Sequence, residues 1–242
     1  TQQPPELLTI ANHILGTGQL SLAKYLWITA DEKNVLHTHS VSDYMQFVLE
    51  RIQWQRDVHF ITNTSIDTLD YSGSGLNMGS KVTFAAYGEI VRELVTEIPS
   101  SLTAIQGVND VSLCMTGVIA LQLPRFTNYE HAKSEIYSLS QYFQTLISSL
   151  SGVAMFVICD DAPFLAQHIN NYVWVTYTRS NPAKDIYGVN EFTQDKHWGC
   201  HGPLIIDARS KPHHAPVLEK DPAIERNVDL LFQKGGVLSP WG

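Results

Sequence analysis

The chain has 242 residues, of which 44% are hydrophobic and 17% are charged, a composition typical of soluble globular proteins. Its net charge of -8 argues against nucleic-acid binding, because contacts with phosphates need a basic surface. No run of about 18 apolar residues is present, so we predict no membrane span, and no signal-peptide pattern is present either. Three cysteines are too few for a disulfide framework, so we expect reduced thiols and a cytoplasmic protein.

Six short apolar runs predict buried strands, and helical patterns lie between them. The strands are predicted at residues 25–28, 58–61, 82–84, 118–121, 155–159 and 204–206. The helices are predicted at residues 41–52, 87–98, 136–150 and 222–231, the first of them after a capping sequence that begins at Ser40. This alternation predicts an α/β fold, a three-layer α/β/α sandwich with a largely parallel or mixed sheet.

The same unit occurs twice along the chain. The interval between Arg51 and Arg179 is the same as the interval between Asp57 and Asp185. Each arginine–aspartate pair follows an acidic strand end and precedes a strand that begins with glycine. This shared order predicts two similar βα units that arose by duplication.

We therefore divide the chain into two units. Residues 1–98 form the first α/β unit, and residues 99–242 form the second, which packs against the first and ends in a closing helix. Because the chain begins at Thr1 and not at methionine, we expect it to be a piece of a longer protein.

A cluster of histidines and one cysteine lies near the predicted last strand. His197, Cys200 and His201 have a ligand-like spacing, and His213 or His214 would complete four zinc ligands. However, only one thiol is present, and a predicted strand separates the two groups. We favour a packing role and a contact surface for this stretch; a self-contained metal-dependent enzyme that uses His197, Cys200, His201 and His213 is the alternative.

A glycine-rich stretch at residues 71–81 precedes a predicted strand. A phosphate-binding loop has to open a helix, so that free amides and the helix dipole meet the anion. The stretch also lacks the spacing of the known phosphate-binding motifs. We interpret it as a flexible turn.

Acidic pairs follow one strand in each half, at residues 31–32 and 160–161. Ligands bind at this edge of open α/β sheets, but such acids also cap turns. Arg51 and Arg179 end the next helices, so we expect an internal ion pair that is repeated in both halves. The sequence contains no nucleophile elbow or metalloprotease motif, and we assign no catalytic, cofactor-binding or metal residue.

Several of these segments together resemble the UbiD family. NTSIDTLDYSGSGLNMGSKV (residues 63–82) is similar to the family segment NTPIDYLDF…GSKMGIDAT. The other similar segments are KYLWITADE, ERIQWQRD, VICDD, TRSNPAKD, GPLIIDARSK and KDPAIERNVDLLF. In the first half Phe84-Ala85 replaces the usual Ile-Asp, which Ile206-Asp207 retains, so the resemblance leaves open which unit faces an active site.

UbiD enzymes are decarboxylases (carboxy-lyases) of aromatic or α,β-unsaturated acids. The resemblance implies that this chain is their C-terminal domain, with residues 1–98 as a unit of that type. It places prenylated FMN and a divalent metal on a preceding flavin-binding domain, which would be a partner together with further copies of the chain. The domain would shape the substrate side of the pocket and make oligomer contacts, and alone it would be inactive. A pure oligomerisation module is a further alternative.

Overall fold

The computed structural model describes residues 4–37, 39–216 and 221–241. Its strands are β1 (Tyr25–Thr29), β2 (Val58–Thr64), β3 (Gly79–Ala86), β4 (Asp110–Met115), β5 (Val118–Gln122), β6 (Met155–Cys159), β7 (Ile186–Gly188), β8 (Glu191–Gln194), β9 (His197–Cys200) and β10 (Leu204–Asp207). Its helices are α1 (Pro4–Gly16), α2 (Val41–Arg51), α3 (Tyr129–Thr145), α4 (Ala162–Gln167), α5 (Ile169–Thr178), α6 (Pro182–Asp185) and α7 (Pro222–Phe232).

All six predicted strands are confirmed, but the helix predicted at residues 87–98 is wrong. That segment is neither helix nor strand, and its backbone bonds to both halves of the molecule. Val91 N donates to Glu50 O at 2.8 Å, and Val95 N donates to Gly152 O at 3.0 Å. The apolar residues here have helical spacing but form no helix. The backbone N–H groups instead donate to carbonyl oxygens that are distant in the sequence, which satisfies them without a helix.

The strands form two sheets and a separate hairpin. The first sheet has the order β1-β3-β2, and the second has the order β4-β5-β6-β10-β7. β1 is parallel to β3, and β6 is parallel to β10. β2 is antiparallel to β3, and β7 is antiparallel to β10. Three strands of the second sheet therefore repeat the order and direction of the first. The α/β class with mixed sheets is confirmed. We call residues 24–86 the first copy and residues 154–208 the second copy.

Helices cover both faces of the five-stranded sheet. Val157 and Ile206 pack on one face with α2, α5 and β3. Phe156 and Ile205 pack on the other face with α3, where the Phe143 ring stacks on Phe156 at 4.4 Å between centroids. The alternation of neighbouring residues between two buried faces is what a sheet covered on both sides requires.

Trp54 joins the two copies. Its side chain is 2% exposed, and its Nε1 donates to Ala154 O at 3.0 Å. The ring also packs against Trp27 and Phe84 of the first sheet, with centroids 6.4 and 5.7 Å away. The two copies thus share one hydrophobic core.

Helix α7 has no buried side chain. Asp221 caps it, because its Oδ1 accepts from Ala223 N at 2.7 Å. Ile224, Val228 and Leu231 are 61%, 43% and 40% exposed. Lys220, which belongs to the segment that resembles the UbiD closing helix, lies outside the described residues. Across the described ranges, no helix is both long enough and apolar enough to cross a bilayer.

Candidate functional site

The four residues of the alternative metal cluster lie in separate environments. His197 lies against Gln55, and the His201 ring stacks on Phe192 at 5.0 Å. Cys200 is fully buried, and burial raises the pKa of its thiol. His213 packs near Tyr129, with ring centroids 6.4 Å apart. Within the described ranges, no group of three or more His, Cys, Asp or Glu side chains is placed to hold a metal ion.

The predicted ion pair exists in the second copy and not in the first. Arg179 Nη1 lies 3.4 Å from Asp160 Oδ2. Arg51 instead pairs with Glu50 at 3.2 Å. Asp31 accepts from two backbone amides of its own turn, and these hydrogen bonds, led by that from Leu36 N, lower the pKa of its carboxyl. The expectation of a pair repeated in both halves is therefore wrong for the first half.

The feature that both copies do share is an aspartate that closes a turn. Asp57 Oδ2 accepts from Gln53 N at 2.8 Å, and Asp185 Oδ2 accepts from Asn181 N at 2.6 Å. Burial raises the pKa of both carboxyls, that of Asp185 to about 6. The equal spacing found in the sequence thus marks a structural motif.

The glycine-rich loop does not fit the phosphate of a flavin nucleotide. Ser74 N donates to Met78 O at 2.8 Å, and Met78 N donates to Gly75 O at 3.0 Å, so these amides are occupied. A Cβ at Gly73 would lie 2.3 Å from Met78 O, and one at Gly79 would lie 2.7 Å from the Ile66 side chain. The glycines therefore allow the loop to pack on itself, not on a ligand.

A buried lysine anchors this loop, and sequence reasoning missed it. Lys24 is 7% exposed, and its Nζ lies 2.7 Å from Asp70 Oδ2 and 2.5 Å from Ser72 Oγ. Ser72 Oγ also donates to Asp70 Oδ1. Burial lowers the pKa of Lys24, although Asp70 opposes that shift. The pair fixes the middle of the loop to the start of β1.

A second buried network lies at the C-terminal end of the second copy and includes residues just beyond it. The Lys211 ammonium is fully buried, 3.3 Å from Asp185 Oδ1, and it donates to the carbonyl oxygens of Arg179, Asp207 and Arg209. Arg209 forms a bidentate pair with Asp207 at 3.0 and 2.8 Å. Buried charged groups are usually paired, and here Arg209 faces Asp207 while Lys211 faces Asp185.

Apolar side chains project from the anchored loop. We call residues 65–78 the first-copy loop. Leu69 is 79% exposed, Leu76 is 78%, Met78 is 60% and Tyr71 is 56%. Four large apolar groups on one ordered loop are unusual on a free surface and typical of an interaction site.

A cavity of about 660 Å³ flanks this loop. Tyr71, Trp174 and Tyr177 line it together with Arg179 and His214. Burial and the nearby Lys211 lower the pKa of His214 to about 3, so the imidazole is neutral at neutral pH. The lining combines aromatic rings with a guanidinium group.

The corresponding segment of the second copy is a hairpin made of β8 and β9. We call it the second-copy hairpin (Glu191–Cys200). It folds back onto the first copy: the Trp198 ring meets Phe60 of β2 at 5.5 Å, and His197 Nε2 lies 3.0 Å from Gln55 O. Gly199 permits this close approach, since a Cβ there would lie 2.9 Å from the Gln55 Cα.

Comparison with known proteins identifies the first copy. Residues 1–86 match the family model of the 3-octaprenyl-4-hydroxybenzoate carboxy-lyase C-terminal domain, UbiD_C. Residues 1–86 are thus similar to a UbiD C-terminal domain. The resemblance found in the sequence is thereby confirmed, and the UbiD match ends at the last residue of β3, so it spans the first sheet.

Curated relatives match more of the chain than the family model does. A Chlamydia pneumoniae protein, named as a subunit of 4-hydroxybenzoate decarboxylase, is 32% identical over 223 residues, which is 92% of this chain and 35% of that protein. A Chlamydia trachomatis serovar D protein is 30% identical over 227 residues, 92% of this chain and 36% of its own length. The chain therefore spans about a third of the length of these curated relatives.

Among solved structures, the chain is similar to the vanillic acid decarboxylase of Sedimentibacter hydroxybenzoicus. The open form matches with a TM-score of 0.34 at 16% identity, over 72% of this chain and 45% of that one. The closed form matches with a TM-score of 0.35 at 14% identity, over 74% and 44% of the two chains.

Proposed function

We propose that this chain is the C-terminal domain of a UbiD-type non-oxidative decarboxylase of aromatic or α,β-unsaturated acids. Residues 1–98 and 99–242 are its two units, and the first-copy loop contacts a preceding flavin-binding domain. The observation that carries the proposal is the anchored loop itself. A buried Lys24–Asp70 pair holds four exposed apolar side chains in place on the copy that matches the family.

The first-copy loop is the better candidate for this contact because the second-copy hairpin is already used inside the chain. Trp198 and His197 of the hairpin contact β2 and the turn before it. Leu69 and Leu76 contact solvent instead. Burial of such side chains contributes about 1.5–3 kcal/mol each when they are fully covered, which is enough for a stable contact between domains.

The cavity beside the loop supports a role on the substrate side of the pocket. Tyr71 and Trp174 offer aromatic faces, and Arg179 is a guanidinium that matches a carboxylate. A planar aromatic acid fits that chemistry. Prenylated FMN with its divalent metal belongs to the preceding domain in this proposal, and the chain alone is inactive. The flavin supplies the electron sink for loss of CO2.

The test combines two separately produced parts. The 242-residue chain is mixed with the flavin-binding domain encoded with it, and formation of phenol from 4-hydroxybenzoate is measured. Activity is expected from the mixture and not from the chain alone. Flavin retention or CO2 release by the isolated chain would contradict the proposal.

A loop variant makes this test specific. Replacing Leu69 and Leu76 by Ser should weaken association with the flavin-binding domain about a hundredfold or more, since the loss of about 1.5–3 kcal/mol at each position corresponds to at least that factor. Leu20→Ser is the matched control, because Leu20 is also an exposed leucine, at 59%, and lies outside the first-copy loop. Equal weakening by both variants would exclude the loop as the contact.

We further propose that α7 makes the contacts of a homo-oligomer. Its exposed Val228 and Leu231 suit packing against another molecule of the same chain. Val228→Glu with Leu231→Glu should lower the mass measured by light scattering, whereas Ile90→Glu, at a 57% exposed position, should not. A monomeric wild-type chain would contradict this second proposal.

A further inference from the structure

Two histidines from different copies meet in one cavity. The cavity has a volume of about 530 Å³ and lies between β2 and the second-copy hairpin. The ring centroids of His59 and His197 are 5.4 Å apart inside it. Because the two histidines lie in opposite halves of the sequence, spacing alone does not show the pair.

The orientation of His197 leaves one ring nitrogen available. Its Nε2 lies 3.0 Å from Gln55 O. A carbonyl oxygen can only accept, so Nε2 carries the hydrogen and Nδ1 keeps a lone pair. Metal-binding histidines are held in this way, with the other ring N–H donated to a backbone carbonyl.

The environment of His59 also suits a ligand. Its half-buried ring has no hydrogen-bond partner among the described residues. An imidazole without such a partner has a ring nitrogen free to bind a metal ion.

The distance between the rings fits a shared ion. With a zinc–nitrogen distance of about 2.1 Å and tetrahedral angles, two imidazoles on one zinc ion have ring centres about 5–6 Å apart. Asp195 and Lys196 line the same cavity, so one carboxylate and one ammonium flank the pair.

We propose that His59 and His197 bind a divalent transition-metal ion of the zinc class, with Nδ1 of His197 as one ligand. Water completes the coordination, and the ion links the first copy to the second-copy hairpin. The site differs from the alternative cluster of the sequence analysis because it excludes Cys200, His201 and His213. It is independent of the proposed decarboxylase role.

Titration of the metal-free chain with Zn²⁺ and with Co²⁺ near neutral pH tests the site. We expect saturable binding of one ion per chain, visible Co²⁺ absorption, and a higher melting temperature with Zn²⁺. His59→Asn and His197→Asn should each weaken binding more than tenfold, because the loss of even an outer-shell partner of a metal ligand costs about 10–100-fold in affinity.

His201→Asn is the matched control, because His201 lies on the same side of the chain but stacks on Phe192. It should bind Zn²⁺ as the wild type does. His197 lies on the hairpin surface, so its variant tests the site even if β2 does not tolerate the change at residue 59. Absence of saturable binding, its survival in the double variant, or equal loss in His201→Asn would each overturn the proposal.

Discussion

The two copies differ most in the segment that joins their second and third strands. In the first copy this is the first-copy loop, which Lys24 anchors and which presents Leu69 and Leu76 to solvent. In the second copy it is the second-copy hairpin, whose Trp198 packs on Phe60. The strand order is the same in both copies, so the copies differ in this connection and not in the arrangement of their sheets.

The hairpin also explains how the first sheet is protected. β2 is an edge strand of that sheet. An open edge can pair with other chains, and proteins commonly cover it. The second-copy hairpin lies against β2 and the preceding turn, where His197 contacts Gln55. The second-copy hairpin thus packs beside this edge strand, whereas Leu69 and Leu76 of the first-copy loop stay exposed.

The largest expected effect on stability comes from a substitution in the hydrophobic core that the two copies share. Trp54→Ala removes a ring that is 2% exposed, together with its hydrogen bond to Ala154 O, and should cost about 3–5 kcal/mol of unfolding free energy. Urea unfolding measures it. Trp174→Ala is the control, since that ring is 46% exposed, and should cost much less. Two separate unfolding transitions in the wild type would contradict a shared core.

The apolar runs and helical stripes predicted most of this framework. The wrong helix at residues 87–98 shows the limit: its apolar spacing is helical, but Val91 and Val95 bond to backbone oxygens that are distant in the sequence. β4 was also missed, because its residues are only partly buried and lack a continuous apolar run.

The candidate site was harder to predict than the fold. Lys24 and Asp70 both occur in the segments that resemble the UbiD family, yet nothing in the sequence shows that they form a buried pair. His59 lies in a run interpreted only as an apolar strand. Contacts between distant polar residues depend on the folded sheets, whereas strand patterns are local.

The next prediction compares the aspartates that close a turn in each copy. The pKa of Asp185 is about 6 when folded and near 3.8 when unfolded. The native state therefore binds the proton more tightly, and this contribution to stability, up to about 3 kcal/mol, is present below about pH 4 and lost as pH rises through about 6. Urea unfolding of wild type and Asp185→Asn from about pH 4 to about pH 7 measures it.

The difference between the two proteins isolates Asp185, because the other titrating groups are common to both. The unfolding free energy of the wild type should exceed that of Asp185→Asn by more at the acidic end of this range than at neutral pH. Asp57→Asn, the first-copy counterpart, should change the profile in the same direction, since burial also raises the pKa of Asp57. A gap that widens as pH rises would contradict the assignment.

A smaller effect is expected from the anchor of the first-copy loop. Lys24→Met leaves Asp70 without its cation and should cost about 1–2 kcal/mol, because the Asp70 side chain is 18% exposed and partly hydrated. Chymotrypsin should then cleave at Leu69 and Tyr71 several times faster. Cleavage at Trp198 in the second-copy hairpin is the internal control and should not change; equal acceleration at both places would indicate global unfolding.

The smallest expected effect is on the outer surface of the first-copy loop. Leu69→Ser with Leu76→Ser should change the unfolding free energy of the chain by no more than about 0.5 kcal/mol, because both side chains are nearly four-fifths exposed. Trp198→Ser in the second-copy hairpin should cost more, since its ring packs on Phe60. Thermal unfolding of the two proteins separates a surface exposed to solvent from one that packs inside the chain. A large loss of stability in the leucine variant would mean that the loop packs against the chain itself.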